Sequence, residues 1–401
     1  MYNATITKLT NIRQHPNADR LKLATCIGEQ VVIGLDHQEG ELGIYFPCDG
    51  QLSSEFCYNN NLFSNPEFNK NQNVKGYFAN NRRVRAQRFR GEKSNGIWLP
   101  LDSLSFTGYD LVQLEENVDL VGLNGHVFCQ KYITEATKNI SRQQKTANLR
   151  HEITMFKMHF ETAKFKQYVD TINIGDLIVI SEKIHSTSQR VGYVLDNQPN
   201  WLDKIFNLFG FYRQNWTKLI GTRKVILCGG ELDSYYKDAF RYKAVEKALP
   251  NLYKGEVLYG EVCAWLSHDT CVQKCGKINF SYGVSKDQPK MFVYRIVRTN
   301  EDGKEIELSW NQVKSRCGEL GLDYVPEMCD PFIYNGNKEE LIELVDSLTD
   351  GQSTLDTHIR EGVCIRVEGK DFHIYKNKSF AFLEMEDKAK DDETVINIDE
   401  V

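Results

Sequence analysis

The chain has 401 residues, 41% of them hydrophobic and 26% charged, with a formal net charge of -6, which fits a globular protein of two domains with separate cores. No apolar run approaches the roughly 20 residues needed to span a bilayer, and the opening MYNATITKLTNIRQHPNADR lacks the charged-then-apolar build of a secretory signal. These features predict a cytosolic or nuclear chain, not secreted and with no membrane partner.

The first ~125 residues read as all-β. Short apolar alternations (ATITKLTNI, LKLATCI, EQVVIGL, LGIYF, VRAQRF, GIWLPL) are separated by Gly, Pro, Asn and Asp turn signals, and their size suits a small barrel of the OB type. Cys57 to Asn81 is rich in Asn and predicts a long surface loop. Residues 71–100 hold seven basic residues (Lys75, Arg82, Arg83, Arg85, Arg88, Arg90, Lys93) against one acid, Glu92. RRVRAQRFR puts arginines on both faces of a strand, which suggests an exposed strand or barrel rim.

Residues 126–150 carry five basic residues (Lys131, Lys138, Arg142, Lys145, Arg150) against Glu135 and have no strong periodicity, as expected of a basic connector between domains. Beyond them the pattern is mixed. DLIVIS has the length of a buried strand, with RVGYVLD as its expected hairpin partner. KAVEKAL, WNQVKSRC and KEELIELVDSL have helical spacing of their apolar residues. EVLYGEVCAW, MFVYRIV, EGVCIRVE and DFHIYKN read as strands, the last two joined by a short Gly-Lys turn. This predicts an α+β domain dominated by antiparallel sheet. Eleven cysteines, an odd number spread along the chain, do not form a disulfide framework. Their closest cluster (Cys263, His268, Cys271, Cys275) lacks the short Cys-x2-Cys pairs of structural zinc sites. From Glu386 to Val401 seven acids face two lysines, net -5, leaving -6 + 5 = -1 for the rest. That end is expected to be a disordered acidic tail, and the balanced remainder with basic clusters suits contact with a phosphate backbone.

Five segments of the second domain place a functional group on a strand or at its end. SEKIHST puts Lys183 where a strand leaves the core. GEV puts Glu261 inside an apolar strand. MFVYRIV sets Phe292 and Tyr294 on one face, EGVCIR puts Glu361 at a strand start with Arg366 near its end, and IYKNKS points Lys376 and Lys378 the same way. Taken singly, each has an ordinary explanation as a salt bridge, core packing or an exposed strand face. Five in this order is a much rarer event.

The set K-I-H-S, GEV, FVYRI, EGVCIR and KNK resembles the nucleotidyltransferase motifs of the covalent polynucleotide ligase and mRNA-capping superfamily. It is most similar to RNA ligases whose first motif reads EKIHGT where DNA ligases have K-x-D-G. The N-terminal part resembles the OB domain of one branch of these RNA ligases, where phrases similar to YFPCDGQLS and RVRAQRFRGEKSNGIWLP recur. HPNADRL (residues 15–21) also resembles a loop of tRNA-binding OB domains. The resemblance covers residues 1–385. It implies an OB-fold barrel over 1–125, the linker 126–150, a nucleotidyltransferase (adenylyltransferase) domain over 151–385 and the tail 386–401.

The resemblance further implies an ATP-dependent RNA ligase that works through a lysyl-AMP on Lys183 and an adenylated 5′-phosphate, in nick sealing or RNA repair. Free lysine has a pKa of about 10.4, so roughly one in a thousand is nucleophilic near neutral pH. Lys376, Lys378 and a metal are expected to lower that pKa and then to neutralise the α-phosphate. Mg2+ or Mn2+ would be held by Glu261 and Glu361, with Glu261 also reaching the ribose. Phe292 (or Tyr294) would stack on adenine, Glu182 would join the ATP site, and Arg190 (or Arg223) would reach the ribose or a phosphate. His185 is expected to serve the later steps. Arg82, Arg83, Arg85, Arg88 and Arg90, with Phe89 and Trp98 nearby, would grip RNA ends or a nicked duplex of RNA or RNA/DNA hybrid, and a monomer is expected. Two positions depart from the family pattern: Ser186 replaces a glycine that could require positive φ, and Arg295 stands where many relatives carry an acid. The rivals are a DNA ligase, a capping guanylyltransferase, and a nucleic-acid-binding protein with a degenerate transferase domain.

Overall fold

The structure, a computed structural model, describes residues 2–135, 138, 153–196, 214–227 and 239–391. The chain divides into two compact units: Met1–Thr134 with Leu383–Asp392, and Glu135–Phe382 with Glu393–Val401.

The first unit is a set of short antiparallel sheets, as the alternating pattern requires. In the strand Ala4–Lys8, Ala4 and Ile6 enter a core with Ile44, Phe46, Phe56 and Phe128. Leu42–Phe46 pairs on one side with Ala4–Lys8 and on the other with Ile97–Pro100. Its Ile44 and Phe46 face that core, while Tyr45 joins Trp98, Leu9, Ala24 and Val31 in a second one. One strand thus serves two cores because its side chains alternate. The strands His126–Val127 and Cys129–Lys131 pair with Gly122–Leu123 and Gly50–Leu52, so this unit continues past residue 125. Residues 139–152 of the expected connector lie outside the described residues.

The Asn-rich stretch is not a plain surface loop. It begins within the helix Ser54–Asn59 and buries Phe63 and Phe78 in the first core. Asn69, 2% exposed, gives its amide to the carbonyls of Phe63 and Val74 and accepts from the Phe63 N–H. Satisfied backbone groups let this turn-rich segment be buried.

RRVRAQRFR departs further from expectation. It forms two strands, Arg83–Val84 and Ala86–Phe89, each with a different partner. Arg83 is 2% exposed. Its guanidinium meets Asp387 at 2.5 Å and Asp391 at 2.6 Å and lies over the Tyr132 ring. The other Asp387 oxygen accepts from Ala86 N–H at 2.8 Å. Arg85 binds Asp391 at 2.9 Å and Arg88 lies 3.4 Å from Glu384. Arg82 donates to the carbonyls of Leu52 and Asn80. Among the described residues only Arg90, of the five, shows no side-chain partner. Arg83 is therefore a structural ion pair, not a surface contact for nucleic acid. The carboxylates that neutralise it come from the supposed tail: Glu386 to Asp391 are helical, in Phe380–Asp391, and Lys390 anchors to Asp49 at 2.7 Å. Residues 392–401 lie outside the described residues.

The second unit is built on two sheets. One holds, in order, Ala163–Lys164, His373–Lys378, Gly362–Glu368, Leu177–Glu182 and Phe332–Ile333. The helix Lys338–Thr349, capped by Asn337 and acidic in its first turn, lays Leu341 and Val345 on this sheet's core beside Ile178, Ile180, Val363 and Ile365. The larger sheet runs Ile226–Leu227, Trp216–Gly221, Thr187–Leu195, Glu256–Cys263, Lys290–Thr299 and Glu305–Glu307, with Asp323–Tyr324 parallel to Lys290–Thr299. The helix Trp310–Leu320 starts at a Ser309/Gln312 capping box, ends at the left-handed Gly321, and buries Trp310, Val313, Cys317 and Leu320. KAVEKAL is helical only up to Lys243, in Ala239–Lys243. Pro250 disfavours the α conformation in the residue before it, and a 3-10 turn, Leu249–Asn251, follows.

The pairing of DLIVIS with RVGYVLD is corrected as well. Leu177–Glu182 belongs to the smaller sheet and Thr187–Leu195 to the larger, so the chain changes sheets at Lys183–Ser186. Arg366 ties the two sheets together farther on. It binds Glu368 at 2.6 Å and donates to the carbonyls of Tyr294 and Leu308.

Removing one partner of a buried ion pair strands the other. Arg83→Ala should therefore destabilise the first unit by about 3–5 kcal/mol, while Arg90→Ala should stay within about 0.5 kcal/mol. Urea unfolding of the full chain, followed by circular dichroism, checks both.

Candidate active site

Leu177–Glu182 is buried along almost its whole length, and its ladder with Gly362–Glu368 ends where the Lys183 N–H reaches the Gly362 carbonyl at 3.0 Å. Gly362 has φ +147°, and a Cβ there would lie 2.1 Å from the Asn377 carbonyl oxygen. Glycine alone lets His373–Lys378 come this close, with Gly362 opposite Lys378. Asn377 turns the other way, donating to Asp346 and Thr349 on the helix side. Lys376 and Lys378, two residues apart, consequently share the opposite face.

The centre of the arrangement is Glu361, 2% exposed. Its Oε2 receives Lys183 Nζ at 2.8 Å, with His185 Nδ1 at 3.5 Å, and its Oε1 faces Lys378 Nζ at 3.1 Å. Burial by itself would raise the carboxyl pKa. Lys183 and Lys378 outweigh it and hold the group well below the ordinary 4.5. The effect on Lys183 reverses the expectation from its lysine neighbours. Burial and Lys378 push its pKa down, but Glu361 prevails and keeps it above 10.5. Lys376 is the depressed lysine, at about 8, through burial first and then repulsion from Lys378 and Lys183.

The larger sheet supplies a second wall. Ser188, Glu261 and Phe292 form one cross-strand row, and Arg190, Tyr259 and Arg295 the next. The Cys364 thiol lies opposite Lys376 in the ladder. It is pushed up to about 11 by burial, held down by Lys183 and Lys376, and raised by Glu361 and Glu261. The thiol thus feels charges carried by both sheets. Phe292 is 4% exposed. Tyr294 packs edge-on to His159, their centroids 5.0 Å apart.

Arg190 is buried under the Phe156 ring and gives Nη1 to the Phe156 carbonyl at 2.9 Å, burial lowering its pKa to about 10. Its Nε and Nη2, and Nδ1 of His159, are buried without a hydrogen-bond partner among the described residues. Buried polar atoms left unfilled in this way suit a polar ligand. Arg223 is instead exposed and paired with Glu161. Glu182 is buried, and its Oε1 has no hydrogen-bond partner among the described residues. Its Oε2 accepts from the Thr354 N–H and hydroxyl, at 2.8 and 2.5 Å, fixing the loop before Glu361.

Neither departure from the family pattern disturbs this geometry. Ser186 is not among the positive-φ residues. It is buried, its hydroxyl donates to the Val262 carbonyl, and its own carbonyl accepts from Gln273 at 3.3 Å. Arg295 binds Glu305 and Glu307 of the adjoining strand and lies between the Phe160 and Tyr259 rings. Two groups were not found from sequence: Cys364, whose place needs the strand register, and Tyr282, whose hydroxyl accepts the His185 N–H at 2.6 Å. Tyr282 lies in a stretch without periodic pattern, and no motif marks it.

Among the described residues no three His, Cys, Asp or Glu side chains converge on a metal position. Both Glu361 oxygens face ammonium groups, and Glu261 is the other carboxylate at hand. This donor set fits an ion held mainly by phosphates and water, with one or two protein carboxylates, rather than a closed protein cage.

The RNA ligase family matches residues 176–380, just over half of the chain, and an OB-fold domain family matches residues 3–101. No curated protein matches. Among solved structures, a mutant Naegleria gruberi RNA ligase with AMP and Mn is 18% identical over 95% of this chain and 98% of its own, with TM-score 0.64. A mutant of that ligase with ATP and Mn is 18% identical over 97% and 99%, with TM-score 0.63. The Naegleria gruberi RNA ligase with PPi is 16% identical over 96% and 98%, also with TM-score 0.63. At these identities the likeness shows a shared fold.

A depressed carboxyl pKa stabilises the folded state above the unfolded value, 4.5, and loses that contribution as pH falls through the folded value. Glu361→Gln should thus unfold more easily than wild type at pH 7, by about 3 kcal/mol, and the two should converge below pH 4.5 in thermal melts. Lys376 has the opposite sign. A folded pKa of about 8 against 10.5 penalises folding fully below pH 8, and the penalty fades between 8 and 10.5. Lys376→Met should raise stability at pH 7 by about 0.5–2 kcal/mol while abolishing activity, the gain shrinking in melts above pH 8.

Proposed function

Since the chain belongs to the RNA ligase family, we propose that it joins RNA 3′-hydroxyl and 5′-phosphate ends with ATP, through an adenylate on Lys183. The observation that carries this reading is the lysine pair on one buried carboxylate: Lys183 and Lys378 on Glu361, with Lys376 on the same face. The similar structures, which hold ATP, AMP, PPi and Mn, support ATP as the nucleotide and a divalent cation as its companion.

In the first step the Lys183 Nζ lone pair attacks the α-phosphorus. A P–N bond forms, the P–O bond to pyrophosphate breaks, and the Nζ ammonium loses two protons to solvent, one before the attack and one from the P–N nitrogen after it. The Glu361 contact aligns the amine and keeps it protonated until nucleotide arrives. Lys376 and Lys378 balance the charge that grows on the phosphate. Mg2+ or Mn2+ brought with the triphosphate, within reach of Glu261, would supply further positive charge and favour loss of the proton. Glu261 and the unfilled Arg190 donors suit the ribose hydroxyls and a phosphate oxygen, and Phe292 with Tyr294 forms the aromatic side of the pocket. AMP then passes from Nζ to a 5′-phosphate oxygen. Finally the 3′-hydroxyl oxygen attacks that 5′-phosphorus, the phosphodiester forms and AMP departs, with His185 serving these later steps beside Glu361.

RNA ends or nicks in RNA or RNA/DNA hybrid are the proposed substrates, in repair, for a monomeric cytosolic or nuclear enzyme. Arg90 is the first candidate for phosphate contact in the OB unit, because Arg83 is consumed internally. The degenerate-binding alternative is disfavoured by Lys183 and Lys378 both held on Glu361 and by a Ser186 that fits its place.

Incubation with α-labelled ATP and Mg2+ or Mn2+, followed by denaturing electrophoresis, tests this. Label should stay on wild type, vanish in Lys183→Ala, and not be replaced by label from GTP. Folded, unadenylated wild-type protein that takes no label with either metal sinks the proposal.

A further inference from the structure

His185 is held by more than its place after Lys183. The four-residue crossing between the sheets, Lys183–Ser186, has no ladder of its own, and its backbone is tied from outside. Lys183 N–H bonds Gly362, Gln273 reaches the Ser186 carbonyl, and His185 N–H bonds the Tyr282 hydroxyl at 2.6 Å. The imidazole is packed edge-on to Phe280 at 4.7 Å and Phe382 at 4.9 Å, which leaves Nδ1 toward Glu361. Phe280 and Tyr282 both press on His358, at 4.8 and 4.5 Å. Asp356 pins their loop by accepting from Ser281 and from Gly283 N–H.

Tyr282 is 3% exposed and adopts φ +50°, a left-handed conformation that aromatic residues rarely take. Strain of this kind persists where the surroundings over-determine it, and such positions cluster at working sites. Here its result is a phenolic oxygen delivered to one backbone N–H beside the nucleophilic lysine. A phenylalanine would fill the same space but could not accept that bond.

We propose that Tyr282 is a positioning residue for His185. Its hydroxyl fixes the Ile184–His185 peptide so that the imidazole stays against Glu361 for the steps after lysyl-adenylate formation. The inference rests on the ligase reading above. Lys183 does not depend on Tyr282 in the same way, because its own N–H and Nζ are held by Gly362 and Glu361.

The test compares full-length wild type, Tyr282→Phe and His185→Ala in two assays: lysyl-adenylate formation from α-labelled ATP, and joining of RNA carrying a preformed 5′-adenylate, without ATP. Tyr282→Phe should form the adenylate within about threefold of wild type yet join the adenylated RNA about tenfold or more slowly, in the direction of His185→Ala. Phe280→Leu, which loosens the imidazole but keeps the hydroxyl, should give the same split by an independent route if phenylalanine at 282 prevents folding. Unimpaired joining by Tyr282→Phe, or equal loss of both steps in either variant, overturns the inference. Wild type inactive in both assays sinks the ligase reading and this inference with it, whereas active wild type with unimpaired Tyr282→Phe sinks the inference alone.

Discussion

The catalytic unit depends on one buried carboxylate. Glu361 could not remain ionised at 2% exposure without opposite charge, and the charge it finds is that of two lysines from the two strands flanking its own. The ladder brings them there: Leu177–Glu182 on one side, His373–Lys378 on the other, with Gly362 admitting the closer approach. A pair of ammonium groups this close would repel if left alone. With Glu361 between them one lysine is aligned and kept charged, and the remaining repulsion falls on Lys376.

Arginine does comparable work elsewhere as internal mortar. Arg241 hydrogen-bonds Ser188 and Thr187 at the edge of the site. Arg316 binds Glu256 and lies over Tyr253. Arg366 joins the two sheets, and Arg83 holds Asp387 and Asp391 within the first unit. Each is hydrogen-bonded along its planar fork, the condition under which a buried guanidinium is tolerated. A basic cluster in the sequence therefore does not measure the charge offered to a polyanion, because part of it is spent against acids far away in the chain.

The crossing at Lys183–Ser186 explains how Lys183 and His185 are both fixed within one short stretch. A chain leaving one sheet for another has backbone groups that no ladder satisfies, and these must find individual partners. Gly362, Gln273 and Tyr282 provide them. The same ties that solve this hydrogen-bonding problem hold Lys183 and His185 in place. Serine is accommodated at 186 because the backbone there does not need the left-handed conformation and the hydroxyl finds a carbonyl.

Much of this protein was legible from local pattern. Period-two alternation marked the strands that carry Lys183, Glu261, Glu361, Lys376 and Lys378, and helical spacing marked Trp310–Leu320 and Lys338–Thr349, because these properties depend on residues a few places apart. The family resemblance followed from the same short segments. Other features could not be read that way: that DLIVIS and RVGYVLD lie in different sheets, that Arg83 is buried by Asp387, that Asn69 closes its own loop, and that Tyr282 reaches His185. Each depends on a partner outside the local repeat, or on a backbone conformation that the repeat does not specify. The sequence by itself determined which groups stand on which strands. Only the tertiary structure decided which charges neutralise one another and which remain for chemistry, since a charge's partner is set by distance in space and not by distance along the chain.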